Sequence, residues 1–564
     1  MVVNQNAAKF ASRRRAAKRA EPMLFPAWLR FVPARVEVDL SQIGLNRILR
    51  GHKFQILCPG QVTRALLIFA ISVSFFGSLP GCGPEPVSSP PVDSPDLRPI
   101  ASQVAAFCGD CHAVPPPASF PRRAWREQVE LGHRFYAESG RNDLTVPRMN
   151  DVIGYYESLA PEELVLPSPE EPADGVTIRF ERTVIAFPHA APLFPAVSHL
   201  RRTTSRADGR VDLLFCDMSA GEVCRLIPDP QASVTTLLGK VAHPDHVEPC
   251  DLDGDGQEDL VVADLGTFLP EDHDRGKVVW LRGGESDREP IVLAEGLGRV
   301  ADVQPGDFDS DGDLDLVVAD FGWRTTGRLR MLEQIRPQGS TPRFRQRVLD
   351  DRHGVIHVPV IDLDGDGRLD FVALFSQEFE SIEAFLNRGQ GLFERRLIFA
   401  AADPSFGSSG IQLVDLDADG DTDVLYTNGD TLDGFYLKPD HAIHWLENQG
   451  TFPFQHHVLC PMPGVIRALA VDLDGDEDLD VVACAFLPER ILRGASRREY
   501  DSLIWLEQVA PGRFVRHTLQ RSEDGHMAME VGDLNGDGRA DLVLGGFAAR
   551  SDSVPPWLTI WWGR

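Results

Sequence analysis

Residues 251–260 read DLDGDGQEDL, four aspartates set around two glycines, and close copies begin at 307, 362, 415, 472 and 533. The copies are 53 to 61 residues apart. A period of this size, kept in register, belongs to architectures that copy one supersecondary unit and stack it. A degraded copy precedes the series: TSRADGRVD at 204–212 keeps Asp208, Gly209 and Asp212 but has Thr204 and Arg206 at the first two ligand positions. The repeats therefore number seven, six of them with a full set of oxygen ligands.

Around each loop the same grammar returns. A lead-in such as FERTV, FRQRV, FQHHV or FVRHT comes first, then the loop, then an apolar run such as LVVAD or FVALF, then a second marker such as VVWLRGG, IHWLENQG or LIWLEQ. Short runs of Val, Ile, Phe and Trp bounded by Gly, Asp and Pro read as strands, about four per repeat, with no strong helical pattern. Seven repeats of four strands predict a mainly β fold, a seven-bladed β-propeller over 176–564. A parallel β-helix or tandem calcium modules is the alternative, disfavoured because such repeats are shorter. The D-x-D-x-D-G-x-x-D loops ahead of apolar strands resemble FG-GAP and VCBS repeat propellers, including the head of integrin α-subunits. That resemblance implies calcium-binding loops.

An EF-hand would need a bidentate Glu at loop position 12. Here position 12 is Val262, Val318, Ala373, Tyr426, Ala483 or Leu544, none of which binds a cation. The ligand set closes earlier, through positions 1, 3, 5 and 9, with the carbonyl of position 7. The side chains are Asp251, Asp253, Asp255 and Asp259; Asp307, Asp309, Asp311 and Asp315; Asp362, Asp364, Asp366 and Asp370; Asp415, Asp417, Asp419 and Asp423; Asp472, Asp474, Asp476 and Asp480; Asp533, Asn535, Asp537 and Asp541. Hard oxygen donors suit Ca²⁺, up to six ions. Acidic turns without metal are the alternative, and they would repel strongly. Position 6 is Gly in five loops and Glu477 in the sixth, where a positive φ makes the weakest site.

These loops account for much of the formal net charge of -28. An acidic body excludes nucleic-acid binding. Residues 1–60 are basic instead, and the apolar stretch ALLIFAISVSFFGSLP at 65–80 follows Arg64 and runs into Gly81-Cys82. This reads as an export signal. Leu-x-Gly-Cys resembles the bacterial lipoprotein motif, which implies cleavage at 81 and lipidation of Cys82; Pro80 departs from the usual small residue, and an uncleaved apolar anchor is the alternative. The expected location is the periplasm or cell surface, on a membrane. Residues 82–98, rich in Pro and Ser, form a tether. Cys216, Cys224, Cys250, Cys460 and Cys484 are odd in number, so they cannot all pair within the chain.

Residues 99–160 make a small segment with two helical patterns, 121 to about 137 and 148–159, and 161–175 is a linker. It opens with FCGDCH, in which Cys108-x-x-Cys111-His112 is the attachment pattern of covalent haem c, His112 being the proximal ligand. A redox disulfide or half a zinc site is the alternative. The segment resembles a reduced class I cytochrome c, all-α. Two residues are placed to be the sixth ligand: Met149, which matches the cytochrome order of Met before a terminal helix, and His133.

In the strand before each loop, the fifth residue back is often polar: His199, His246, Asp302, His357 and Arg467. If that strand is innermost, these ring one mouth of the central channel as a candidate ligand site; a wet channel without a partner is the alternative. Together these features predict an exported, lipid-anchored electron-transfer protein whose propeller recognises a redox partner protein or a carbohydrate. Two further readings are an oxidoreductase that oxidises a sugar or alcohol and passes electrons to the haem, and an adhesion protein with a haem sensor. No G-x-S-x-G or H-E-x-x-H motif is present, so no catalytic residue is assigned.

Overall fold

Each acidic loop hands the chain to a strand without a polar face. Asp259–Asp264, Asp315–Asp320, Asp370–Phe375, Asp423–Thr427, Asp480–Ala485 and Asp541–Gly546 are buried along their whole length. Such a strand must be covered on both sides. In the computed structural model it is the second strand of a blade, packed between two neighbouring blades. The residues described are 98–167, 178–186, 194–205, 209–284, 288–335, 341–432, 435–488, 491, 500–521, 525–548 and 556–564. The export signal, Cys82 and the tether up to residue 97 lie outside them, as do Arg206 and Asp208 of the degraded loop.

Among the described residues there are seven antiparallel sheets, six of them meanders of consecutive strands. The first strands of blades one to seven are Val197–Thr204, Pro244–Cys250, Val300–Gly306, Val355–His357, Gly410–Val414, Val465–Val471 and His526–Gly532. Neighbouring blades touch through these first strands, which places them innermost. In blade four the inner strand is interrupted and resumes at Val360–Ile361, beyond Pro359, which has no N–H to give the ladder. Outer strands such as Val234–Lys240 alternate between exposed and covered positions, as a rim strand must.

The lead-in strands belong elsewhere than the sequence grammar puts them. FRQRV lies in Phe344–Asp350, the outermost strand of blade three, and it precedes the loop of blade four. FERTV lies in Phe180–Ile185, which pairs with the C-terminal strand Leu558–Gly563, Phe180 opposite Gly563 and Ile185 opposite Leu558. The start of the chain thus supplies the fourth strand of blade seven. This one-strand offset between repeat and blade closes the ring and removes both open edges. Seven hydrophobic clusters each draw residues from two adjacent blades, so the core is distributed between blades.

Ahead of the propeller stand three helices, α1 (Arg98–Cys108), α2 (Trp125–Glu138) and α3 (Met149–Leu159). The last two match the expected helical patterns; α1 is additional. Val104, Phe120, Trp125, Val129, Val152, Ile153 and Tyr156 form their core, with Trp125 stacked on Tyr156 at 3.8 Å between centroids. The helices rest on propeller loops: Ser119 Oγ donates to Asp403 Oδ2 at 2.5 Å, Lys438 Nζ lies 5.1 Å from the Phe120 ring, and the Arg324 guanidinium lies 4.5 Å from the Phe135 ring. Among the described residues, no helix is long and apolar enough to cross a membrane.

Candidate functional site

The acidic loops have one geometry. At position 1 a carboxylate oxygen accepts the position 6 N–H, as in Asp251 from Gly256 (3.0 Å), Asp307 from Gly312 (3.1 Å) and Asp362 from Gly367 (2.9 Å). Position 6 has positive φ throughout, including +76° at Glu477. Position 4 does too, which the sequence reading missed; Ser310 (+64°) and Ala418 (+60°) hold it without glycine. Carboxylate oxygens of Asp251, Asp253 and Asp255 lie within 4.8 Å of one another, as do those of Asp307, Asp309 and Asp311, of Asp362, Asp364 and Asp370, and of Asp415, Asp417 and Asp423. Asp251 Oδ1 and Asp417 Oδ1 are buried with no donor. Burial first, and neighbouring carboxylates second, push the Asp309, Asp417 and Asp474 carboxyls up. Such a set fits a hard divalent cation.

Position 9 has a second duty. Asp423 accepts the N–H of Leu416 in its own loop (3.2 Å), that of Asn448 (2.7 Å) and the Trp445 indole (2.9 Å). Asp480 does likewise for Leu473 (3.2 Å) and Gln508 (2.8 Å), and Asp541 for Leu534 (3.0 Å) and Gly563 (2.9 Å). It ties loop to third strand. In blade one, Asp212 at this position is 2.9 Å from Arg210 and 3.7 Å from Arg225, so arginines face the carboxylate there. Replacing Glu477 by glycine relieves the left-handed strain of its loop. We expect Glu477→Gly to raise the stability of calcium-saturated protein by about 1 kcal/mol. An unmoved denaturant midpoint would refute it.

A cleft opens among the helices, lined by Cys108, Cys111, His112 and His133 and by apolar side chains including Phe107, Phe120, Val129, Leu131 and Leu144. Cys108 ends α1, and burial pushes its thiol up to about 11, with Cys111 adding to the rise. Gly109 turns the chain directly after it, where a Cβ would meet Ala105 O at 2.5 Å and Val114 Cγ2 at 2.8 Å. His112 Nδ1 lies 2.6 Å from the Ala113 carbonyl, and His133 Nδ1 lies 2.9 Å from the Val129 carbonyl. A carbonyl can only accept, so His112 Nδ1 carries a proton, while His133 has a carbonyl beside each ring nitrogen, Val129 O on Nδ1 and Pro147 O 3.3 Å from Nε2. Tyr156, only 2% exposed, lines the same cleft with a hydroxyl that has no hydrogen-bond partner. Met149 does not line it: it starts α3 and is 38% exposed. The chain order that points to Met149 is thus not matched by its position. Pro404 and Ser405 from the propeller complete the wall.

At the channel mouth the inner strands hold a device that alternation alone does not reveal. Six of the seven carry a β-bulge at the same place, between 197 and 199, 244 and 246, 300 and 302, 355 and 357, 465 and 467, and 526 and 528. A bulge re-aims side chains. The extra residues Ser198, Asp245, Ala301, Ile356, Ile466 and Met527, with Ser409 of blade five, all line one large cavity at the mouth. His199, His246, His357 and Arg467 line it too; Asp302, 1% exposed, lies beneath them. The structure therefore gathers all five residues of the expected ring.

His246 Nε2 is 2.9 Å from Glu248 Oε1 and 3.2 Å from Asp302 Oδ1. Burial opposes its charge, yet Asp302 and Glu248 push its pKa up. His199 stacks on it at 3.8 Å and takes the Val247 N–H on Nδ1 (3.3 Å), so His199 Nε2 carries a proton. Stacked rings keep their in-plane lone pairs roughly parallel, and one nitrogen is already engaged. His199, His246 and Glu248 make a hydrogen-bonding floor and not a metal site. A second tier one step inward, Glu248 with Arg201 (3.3 Å) and Gln304 (3.3 Å), was not anticipated.

Residues 251–318 and 362–426 match the FG-GAP-like repeat. Those two stretches carry FG-GAP-like repeats. Human cartilage acidic protein 1 is 23% identical over 324 residues, 53% of this chain and 46% of that protein, so less than half the relative is spanned. Among solved structures, the exotype rhamnogalacturonan lyase YesX gives a TM-score of 0.35 at 11% identity, covering 62% of this chain and 71% of that one. A Bacillus licheniformis rhamnogalacturonan lyase gives 0.35 at 13%, covering 68% and 74%. These structural likenesses are too slight to bear on activity. In the FG-GAP-like propeller the acidic loops follow the inner strands and the bulges begin them, so loops and mouth lie at opposite ends of those strands. The helices sit over the mouth end, since Trp323 lines the mouth and Arg324 meets α2.

Proposed function

We propose that this chain is an exported, lipid-anchored c-type haem protein that transfers electrons, its propeller stapled by up to six Ca²⁺ and offering the channel mouth to a carbohydrate or a redox partner protein. One observation carries the reading: Cys108, Cys111, His112 and His133 surround a single apolar cleft. The two thiols would hold the group through thioether bonds and His112 and His133 would supply imidazole ligands, His133 giving up the contact of its Nε2 with the Pro147 carbonyl, with the unpartnered Tyr156 hydroxyl as a donor beside them. A haem bound there supplies one-electron exchange. The surrounding Phe, Trp and Leu side chains keep water off and hold the potential. Purified exported protein should carry haem that survives denaturation, read as visible absorbance of the unfolded chain. Colourless protein from a haem-attaching host would sink the reading.

A second reading is favoured by one loop. Pro404 and Ser405 line the helical cleft, while Ser408 and Ser409 line the channel mouth. A wall shared in this way suits an oxidoreductase that oxidises a sugar or alcohol at the mouth and passes its electrons through the haem to a partner protein. Haem reduction by a panel of sugars and alcohols separates the two, since a pure transfer protein stays oxidised.

A further inference from the structure

The mouth of the channel has a cation without a counter-charge. Two carboxylates line the cavity, and each has a neighbouring cation: Arg299 acts on Asp245, and Lys438 on Asp430. Arg467 differs. Its Nε donates to the Met529 carbonyl at 3.2 Å, and it makes no ion pair among the described residues. Leaving a guanidinium in a concave site without an acid forgoes its most favourable partner, a carboxylate gripped by two parallel N–H bonds.

The blades beside Arg467 leave room for that partner. At the matching ring position, blade five has Gly410 and blade seven has Ala528, so at that level of the ring no side chain longer than a methyl adjoins Arg467. A Cβ at Gly410 would lie 3.0 Å from Ile466 O, so the glycine also lets the Arg467 strand pack close. Across the floor, His199 and His357 are held neutral by burial, which makes them hydrogen-bonding groups for hydroxyls and not competing charges. The walls are aromatic: Phe268 and Phe547 stack at 6.2 Å, and Trp323 faces the same cavity. Flat apolar walls, a polar floor and a guanidinium with no ion pair among the described residues suit a ring that has one apolar face, several hydroxyls and a carboxylate.

We infer that the channel mouth binds a sugar acid, with Arg467 taking its carboxylate. This deepens, and rests on, the reading that the propeller mouth binds a ligand. Neutral sugars would meet the same walls and floor but leave Arg467 unpaired, so the site discriminates by charge.

The test is calorimetric titration of the full exported chain, calcium-loaded, with a hexuronate trisaccharide and with its carboxyl-reduced neutral counterpart. The acid should bind roughly 10- to 100-fold more tightly than the neutral sugar. Added salt should weaken the acid alone. Arg467→Gln should bring the acid to the level of the neutral sugar and leave the neutral sugar unchanged, and Arg467→Lys should keep part of the preference. Equal affinity of the two sugars for the wild-type chain overturns the sugar-acid assignment, whether or not Arg467→Gln folds. Retention of the preference by a folded Arg467→Gln overturns it as well. Binding of neither sugar overturns it together with the ligand-binding reading of the mouth.

Discussion

Removing calcium at neutral pH is expected to lower the melting temperature of the purified chain by more than about 10 °C. In the loops at 251, 307, 362 and 415 three carboxylates approach within 4.8 Å of one another, and Asp251 Oδ1 and Asp417 Oδ1 are buried without a donor. Cations of the chain already crowd in: an Arg282 nitrogen is 2.7 Å from Asp253 and 3.2 Å from Asp255, and Arg388 is 2.8 Å from Asp364. An exposed arginine compensates poorly for such a cluster, because solvent screens it. A bound ion stabilises by about 4 kcal/mol when free calcium is a thousandfold above Kd, and six loops act on one closed ring. Magnesium should restore little, since its small octahedral shell does not suit a many-oxygen loop. Equal melting in chelator and in millimolar calcium would show that the loops are acidic turns and nothing more.

How the ring closes was only partly written in the order of residues. The period of the acidic loops and the run LVVAD were enough for seven blades, because a strand buried on both sides leaves an unbroken apolar run. FERTV at 180–184 misleads for a physical reason. It looks like every other lead-in since it too is an outer strand, and only pairing across the whole chain, Phe180 with Gly563, shows which blade owns it. The channel ring was legible through alternation, yet the bulges that re-aim it were not, because Ser198, Asp245, Ala301, Ile356, Ile466 and Met527 share no residue type. What they share is a position just before the ring residue. The same holds for position 9 of the loops: the acid was evident, its grip on Asn448, Gln508 and Gly563 was not.

In the proposed haem site the ligand paired with His112 would set the redox range, and there the cleft and the chain order disagree. Met149 stands where a cytochrome would place its methionine, at the start of a terminal helix, but its side chain is exposed and off the cleft. His133 sits on α2 inside the cleft, its ring 5.1 Å from Phe107, with Nδ1 2.9 Å from the Val129 carbonyl. To bring Met149 in, α3 would have to turn and break the packing of Val152, Ile153 and Tyr156, all buried against Trp125 and Phe120. Losing even one such core contact costs about 2–5 kcal/mol. Met149→Ala should therefore leave the visible spectrum and potential unchanged. His133→Ala should convert a six-coordinate low-spin spectrum to a five-coordinate high-spin one and raise the potential, since an imidazole ligand holds it low. Cys108→Ser combined with Cys111→Ser should abolish covalent attachment altogether, leaving an unfolded chain with no visible band. A sulfur-to-iron absorption lost in Met149→Ala and kept in His133→Ala would reverse the assignment, and would mean that α3 repacks when the cleft is filled.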